Sequence, residues 1–173
     1  MFNKKRLFVP AALILASSLG VSAANAQSPT CPYTIASLHG YYSIVANYNA
    51  NVAMSLGSRY LDGMGNLTGT FILNAPTTGS TTGARTITTG TNVGTYTVNC
   101  NGTGQFTRVL KSNGITATQV DDFIITTATR SLGGYGNVMI ATTIADADEV
   151  PSALVPGGLF VTRVHTRLPD LTF

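Results

Sequence analysis

Tryptophan is absent from this 173-residue chain, histidine and cysteine occur twice each, and only 10% of residues are charged. The longest apolar run, Leu7 to Gly20, is interrupted by Pro10, Ser17 and Ser18. It falls short of the ~20 residues a membrane-spanning helix needs. No G-x-S-x-G elbow offers a nucleophilic serine. Two isolated cysteines lack the paired ligand spacing that zinc uses, so no metal is expected. Beyond the first 26 residues no window of about twelve residues shows helical periodicity, which excludes long amphipathic helices.

Net charge is lacking too, once its location is considered. Ten Lys+Arg against seven Asp+Glu give a formal +3, but Lys4, Lys5 and Arg6 supply three of the ten. They head the apolar run, which ends in Ser22-Ala23-Ala24-Asn25-Ala26. Basic head, short apolar middle and small-residue end are the parts of a secretory signal, cleaved after about Ala26. Residues 1–26 are therefore read as a signal and 27–173 as a single all-β domain, in the periplasm or outside the cell. Ten minus three leaves seven basic residues against seven acidic ones. That balance gives no basic patch for nucleic acid and none for an anionic membrane.

What remains is rich in Thr, Gly, Val, Ile and Tyr, the residues of strands and turns. Eight strands can be drawn: Tyr41–Asn49, Val52–Leu61, Leu67–Asn74, Arg85–Asn99 with a pause at Gly90–Gly94, Gln105–Lys111, Ile115–Thr127, Asn137–Ile144 and Leu159–Leu168. Asn113-Gly114 is the strongest two-residue hairpin signal among the connections. Eight consecutive strands with short connections suggest an up-and-down barrel, which removes exposed edges. A two-sheet sandwich shows the same alternation and is the alternative. Residues Asp146–Gly158 read as a rim loop or lid. Both cysteines follow the cleavage point, and an even count in an oxidising compartment reads as a Cys31–Cys100 disulfide. Two free thiols are the rival reading.

Leu38-His39-Gly40-Tyr41-Tyr42 after Cys31, Asp62-Gly63-Met64-Gly65-Asn66-Leu67-Thr68-Gly69, and Gly94-Thr95-Tyr96-Thr97-Val98-Asn99-Cys100-Asn101-Gly102-Thr103 form a pattern over about the middle third of the chain. The pattern resembles small exported bacterial proteins of unknown function with lipocalin-like or allene-oxide-cyclase-like barrels. The resemblance implies that fold and no established activity. Gly65–Thr70 is also similar to avidins, but without tryptophan an avidin-like biotin site has no basis here.

Residues able to do chemistry are few. His39 and His165 read as surface histidines. Asp121 and Asp122 are adjacent in a strand, so they point to opposite faces and cannot form an acid–base pair. Asp146, Asp148 and Glu149 read as the solvated face of a loop, without the regular ligand spacing of a calcium site. Arg163, His165 and Arg167 share one face of the last strand, opposite Phe160, Thr162, Val164, Thr166 and Leu168. If the apolar face is the core, this cationic stripe faces solvent. If the strand is inverted, the stripe is a docking site for a carboxylate inside a barrel, where arginine binds bidentately. Asn66 and Asn101 match glycosylation acceptors and read as turn residues.

With no catalytic residues and no cofactor to name, the leading expectation is a binding module for a small apolar, amphipathic or carboxylate ligand, because eight strands can enclose one. A structural or surface-interaction protein is the second reading. An eight-stranded outer-membrane barrel is disfavoured by the Thr, Asn and Gly content of its outward candidates, and a cyclase or isomerase rests on fold analogy alone.

Overall fold

The computed structural model describes residues 31–49, 52–131, 138–155 and 159–170. Its strands are β1 (His39–Tyr48), β2 (Ala53–Asp62), β3 (Asn66–Pro76), β4 (Arg85–Val98), β5 (Thr103–Ser112), β6 (Ile115–Arg130), β7 (Met139–Asp148) and β8 (Val161–Arg167). Each pairs antiparallel with the next, and β8 pairs back onto β1, so the sheet closes into a barrel. The sandwich alternative is thereby excluded.

Turn chemistry sets the registers. Asn113 and Gly114 have φ of 47° and 76°, the left-handed pair a two-residue hairpin turn demands. They fix Ser112 opposite Ile115, hence Arg108 opposite Gln119 and Phe106 opposite Asp121. Between β2 and β3, Asp62 Oδ1 accepts the backbone N–H groups of Met64 (2.7 Å) and Asn66 (2.9 Å), while Asp62 Oδ2 accepts Asn66 Nδ2 (2.7 Å). Asn101 caps the next turn by accepting the Thr103 N–H at 3.1 Å. Asn101 is a turn residue, as the sequence suggests, whereas Asn66 is the first residue of β3, paired with Thr95.

Every strand differs by a residue or more from its expected bounds, and three differences matter for the interior. The glycines at 90 and 94 do not interrupt β4, which is continuous. At Gly90 a Cβ would lie 2.2 Å from the Phe71 ring, so glycine here makes room for a neighbour's side chain. β7 runs on through Asp148, so Asp146 and Asp148 are strand residues and not a loop face. β6 likewise continues to Arg130, with register shifts against β7 around Thr127.

The interior is layered. One apolar cluster includes Leu38, Tyr42, Leu61, Leu67, Tyr96, Phe106 and Phe123, and another includes Ala46, Tyr48, Ala53, Leu73, Val155 and Val161. Along β2, Ala53 belongs to one and Leu61 to the other, with Ser55 and Arg59 buried between them. A short 3-10 turn, Ile35–Ser37, precedes Leu38 and is held by Tyr96, whose hydroxyl donates to Leu38 O at 2.8 Å and accepts Gly63 N–H at 2.9 Å. Burial pushes the Tyr96 phenol up to about 12, so it stays a donor at neutral pH. Cys31 and Cys100 form a disulfide, tying the start of this unit to the β4–β5 turn.

Candidate functional site

The middle layer of the barrel is charged. β8 is inverted relative to the apolar-face-in expectation: Arg163 and His165 are buried while Val164 and Thr166 face out. The stripe therefore does not face solvent, and His165, with no exposed surface, is not a surface histidine. The reason lies on the neighbouring strands, which place three carboxylates inside the same layer. β7 contributes Asp146 and Asp148, and β6 contributes Asp121, all buried. Asp122 is exposed, so the two adjacent aspartates do occupy opposite faces; Asp121 sits in mid-barrel and not at a kink or rim.

Arg163 is the hub. Its Nη1 donates to Asp146 Oδ1 (2.9 Å) and Asp121 Oδ1 (3.1 Å), and its Nη2 to Asp148 Oδ1 (2.7 Å). Arg108 of β5 forks onto both oxygens of Asp121 through Nε and Nη2. His165 Nε2 lies 2.7 Å from Asp146 Oδ2. Burial lowers the His165 pKa to about 4, so the ring is neutral at pH 7 and donates from Nε2. Burial alone would raise Asp146 and Asp121, but Arg163 overrides it at both sites, aided by His165 at Asp146 and Arg108 at Asp121. Asp148 goes the other way: burial, the hydrogen bond to Asp121 and that residue's charge push it up to about 7. Arg167 departs from its stripe mates. It sits at the rim, donating to His39 O (2.9 Å) and to Asp170 (2.8 Å).

Arg59 of β2 was not singled out by sequence, and it is the least satisfied group in the layer. It is 1% exposed, and its Nε and Nη1 have no hydrogen-bond partner among the described residues. The nearest carboxylate oxygen, Asp146 Oδ2, is 3.9 Å from Nη1. The guanidinium packs over the Phe106 ring at 4.7 Å, and His165 stacks against the same ring. Burial, then repulsion from Arg108, lowers the Arg59 pKa to about 9, which leaves it cationic at neutral pH. A buried cation without hydrogen bonds costs several kcal/mol, by general estimates.

Beside Arg59 lies an interior cavity of about 30 Å³. Its polar walls are Arg59, Arg108, Arg163, Asn92, Ser55, Ser152 and Tyr48, and its apolar walls include Ile44, Leu110, Phe71 and Leu154. Among the described residues the three arginines are its only charged lining, and no carboxylate borders it. Asn92 Oδ1 is likewise buried without a partner. Among the described residues no group of three or more His, Cys, Asp or Glu is arranged to hold a metal ion.

No protein-family model, curated protein or solved structure matches the chain. The barrel itself is established, while kinship with lipocalin-like or allene-oxide-cyclase-like proteins gains no support from comparison. No helix among the described residues is long and apolar enough to cross a membrane.

Proposed function

We propose that this chain is an exported binding barrel whose interior cavity holds a small monovalent anion, such as a halide or formate, against Arg59. The observation that carries the reading is the cavity lining among the described residues: three guanidiniums, no carboxylate, and two unpartnered nitrogens on Arg59. The charge balance points the same way. The layer holds Arg59, Arg108 and Arg163 against Asp121, Asp146 and Asp148. Burial and Asp121 push Asp148 up to about 7, which weakens the negative side of the layer and leaves room for an added anion. The size supports a group of about one to three heavy atoms, since a water needs roughly 10–15 Å³ of such space. It does not support a lipid-sized ligand in a lipocalin-like calyx.

This reading keeps the carboxylate-docking idea for the last strand and moves its ligand-facing role. Arg163 and His165 orient the layer, Arg59 contacts the anion, and Arg167 closes the rim with Asp170. A signal at residues 1–26, with the disulfide, supports export. The outward face of β4, with Thr89, Thr91, Thr95 and Thr97 beside Ile87 and Val93, does not make the unbroken apolar band of a membrane barrel.

The test is thermal unfolding of protein expressed from the full-length gene, in formate or chloride titrated against gluconate at constant ionic strength. The wild type gains stability with the small anions, by about 2.7 kcal/mol at a hundredfold excess over the dissociation constant. Arg59→Met shows no such gain. An equal response of both proteins sinks the reading.

A further inference from the structure

The hairpin of β3 and β4 overreaches the rest of the barrel. β4 pairs with β3 from Arg85 opposite Pro76 to Thr95 opposite Asn66, but with β5 only from Thr91 opposite Lys111 onward. Residues Arg85–Gly90 thus have a strand on one side and, among the described residues, none on the other. The open side is set by parity. Tyr96 N–H donates to Gly65 O on the β3 side, so odd-numbered residues of β4 aim their backbone groups towards β5. Thr89 O accepts the Ser112 hydroxyl at 2.9 Å, the only side-chain bond across this gap among the described residues. Ile87 and Arg85 therefore present N–H and C=O groups to the open edge.

Exposed edges in stable proteins carry charge, proline or a bulge that discourages pairing. Thr86-Ile87-Thr88-Thr89 has none of these, and Ile87 is 66% exposed. The neighbouring charge does not guard the edge. Arg85 folds back across the sheet, with Nε donating to Asn74 Oδ1 (2.8 Å) and Nη1 to Val52 O (3.0 Å). Where β4 parts from β5 there is an outer groove of about 890 Å³, walled by Leu56, Ile72, Thr89, Ile115 and the Asn113-Gly114 turn, with Lys111 its one charged lining residue among those described. The hairpin tip, residues 77–84, is made of Thr, Gly, Ser and one Ala and carries no charge.

We infer that the open β4 edge is a self-association site, where a second copy of the chain pairs its own Arg85–Gly90 antiparallel and lays its 77–84 tip against the groove. The occupant follows from the residues. An antiparallel pair about a two-fold axis brings the same uncharged, β-branched segment to both sides, which is the isologous arrangement of symmetric dimers. A nearly uncharged groove suits a neutral Thr/Gly/Ser tip better than a charged peptide. The edge alone is short for a stable interface, which buries about 800 Å² per partner, and the tip in the groove supplies further area.

The experiment is light scattering after size exclusion on protein expressed from the full-length gene, over a concentration series. The wild type shows a dimer mass at the upper concentrations. Ile87→Lys, which opposes two like charges across the axis, gives a monomer with an unchanged melting temperature and near-ultraviolet circular dichroism. Thr118→Lys, a lysine on the outer face of β6, stays dimeric, as does Ile87→Val. A wild type that is monomeric throughout overturns the inference. So does a dimer that Ile87→Lys leaves intact, or one that Thr118→Lys dissolves equally. An unfolded Ile87→Lys leaves the decision to the wild type and to Ile87→Pro, which removes the edge N–H without adding a charge and is expected to be monomeric; a dimeric Ile87→Pro overturns the inference as well.

Discussion

Replacing Arg163 by methionine separates a buried charge layer from a solvent-facing stripe. Arg163 holds Asp121, Asp146 and Asp148 together, and its side chain is 7% exposed. Removing one partner of a buried pair while leaving the other in place costs about 3–5 kcal/mol. Here one deletion strands three carboxylates that Arg108 and Arg59 serve only in part. In a domain of this size each kcal/mol lowers the melting temperature by about 2–4 °C, so the fall is about 6–20 °C. Arg167→Met is the matched control from the same stripe. Its partner Asp170 is 67% exposed at the side chain, and a pair of that kind contributes about 1 kcal/mol or less. Differential scanning calorimetry of both variants decides the matter. Equal, small losses for Arg163→Met and Arg167→Met would refute the buried layer.

Three further outcomes are expected. Arg59→Met, measured in gluconate, unfolds at or above the wild-type temperature, because it removes a buried cation that lacks hydrogen bonds; a loss as large as that of Arg163→Met would show that Arg59 is already paired. Reducing the disulfide, or replacing Cys31 and Cys100 with alanine, costs about 4 kcal/mol for a separation of 69 residues, read as a lowered urea midpoint; an unchanged midpoint would contradict it. The pH dependence has two opposing parts. Asp148, raised from 3.8 to about 7, contributes stability that is full below pH 3.8 and lost as pH rises towards 7. His165, lowered from 6.5 to about 4, contributes stability that is present above pH 6.5 and lost as pH falls towards 4. Between pH 4 and 6.5 they offset one another in the wild type. Asp148→Asn leaves the His165 part, so its urea midpoint climbs with pH across that window more steeply than the wild type's; parallel curves would rule out the Asp148 assignment.

The barrel was legible because its signals are local. Alternation in Tyr42, Ile44, Ala46, Tyr48 and in Leu67, Gly69, Phe71, Leu73 marks the inner face correctly, and Asp62-Gly63 and Asn113-Gly114 mark their turns by backbone chemistry. The charged layer was not legible, because its partners lie on β2, β5, β6, β7 and β8 and meet only on closure. Hydrophobicity misled on β8: Val164 pairs with Val45, and Val45 with Leu56 on the outer face, so the apolar side of that strand is not the core. One signal was available. Counting back from the Asn113-Gly114 turn sets Arg108 opposite Gln119, one diagonal step from Asp121, which already joins two opposite charges on one face. Nothing comparable in the sequence points to Arg59, whose role depends on the cavity beside it.

The most direct test of the anion site is a crystal of the protein grown or soaked in bromide, with data collected at the bromine absorption edge. The account predicts an anomalous peak inside the barrel, within about 3.5 Å of Arg59 Nε or Nη1 and bordered by Arg108 and Asn92. A map with bromide peaks on the surface and none beside Arg59 would contradict it.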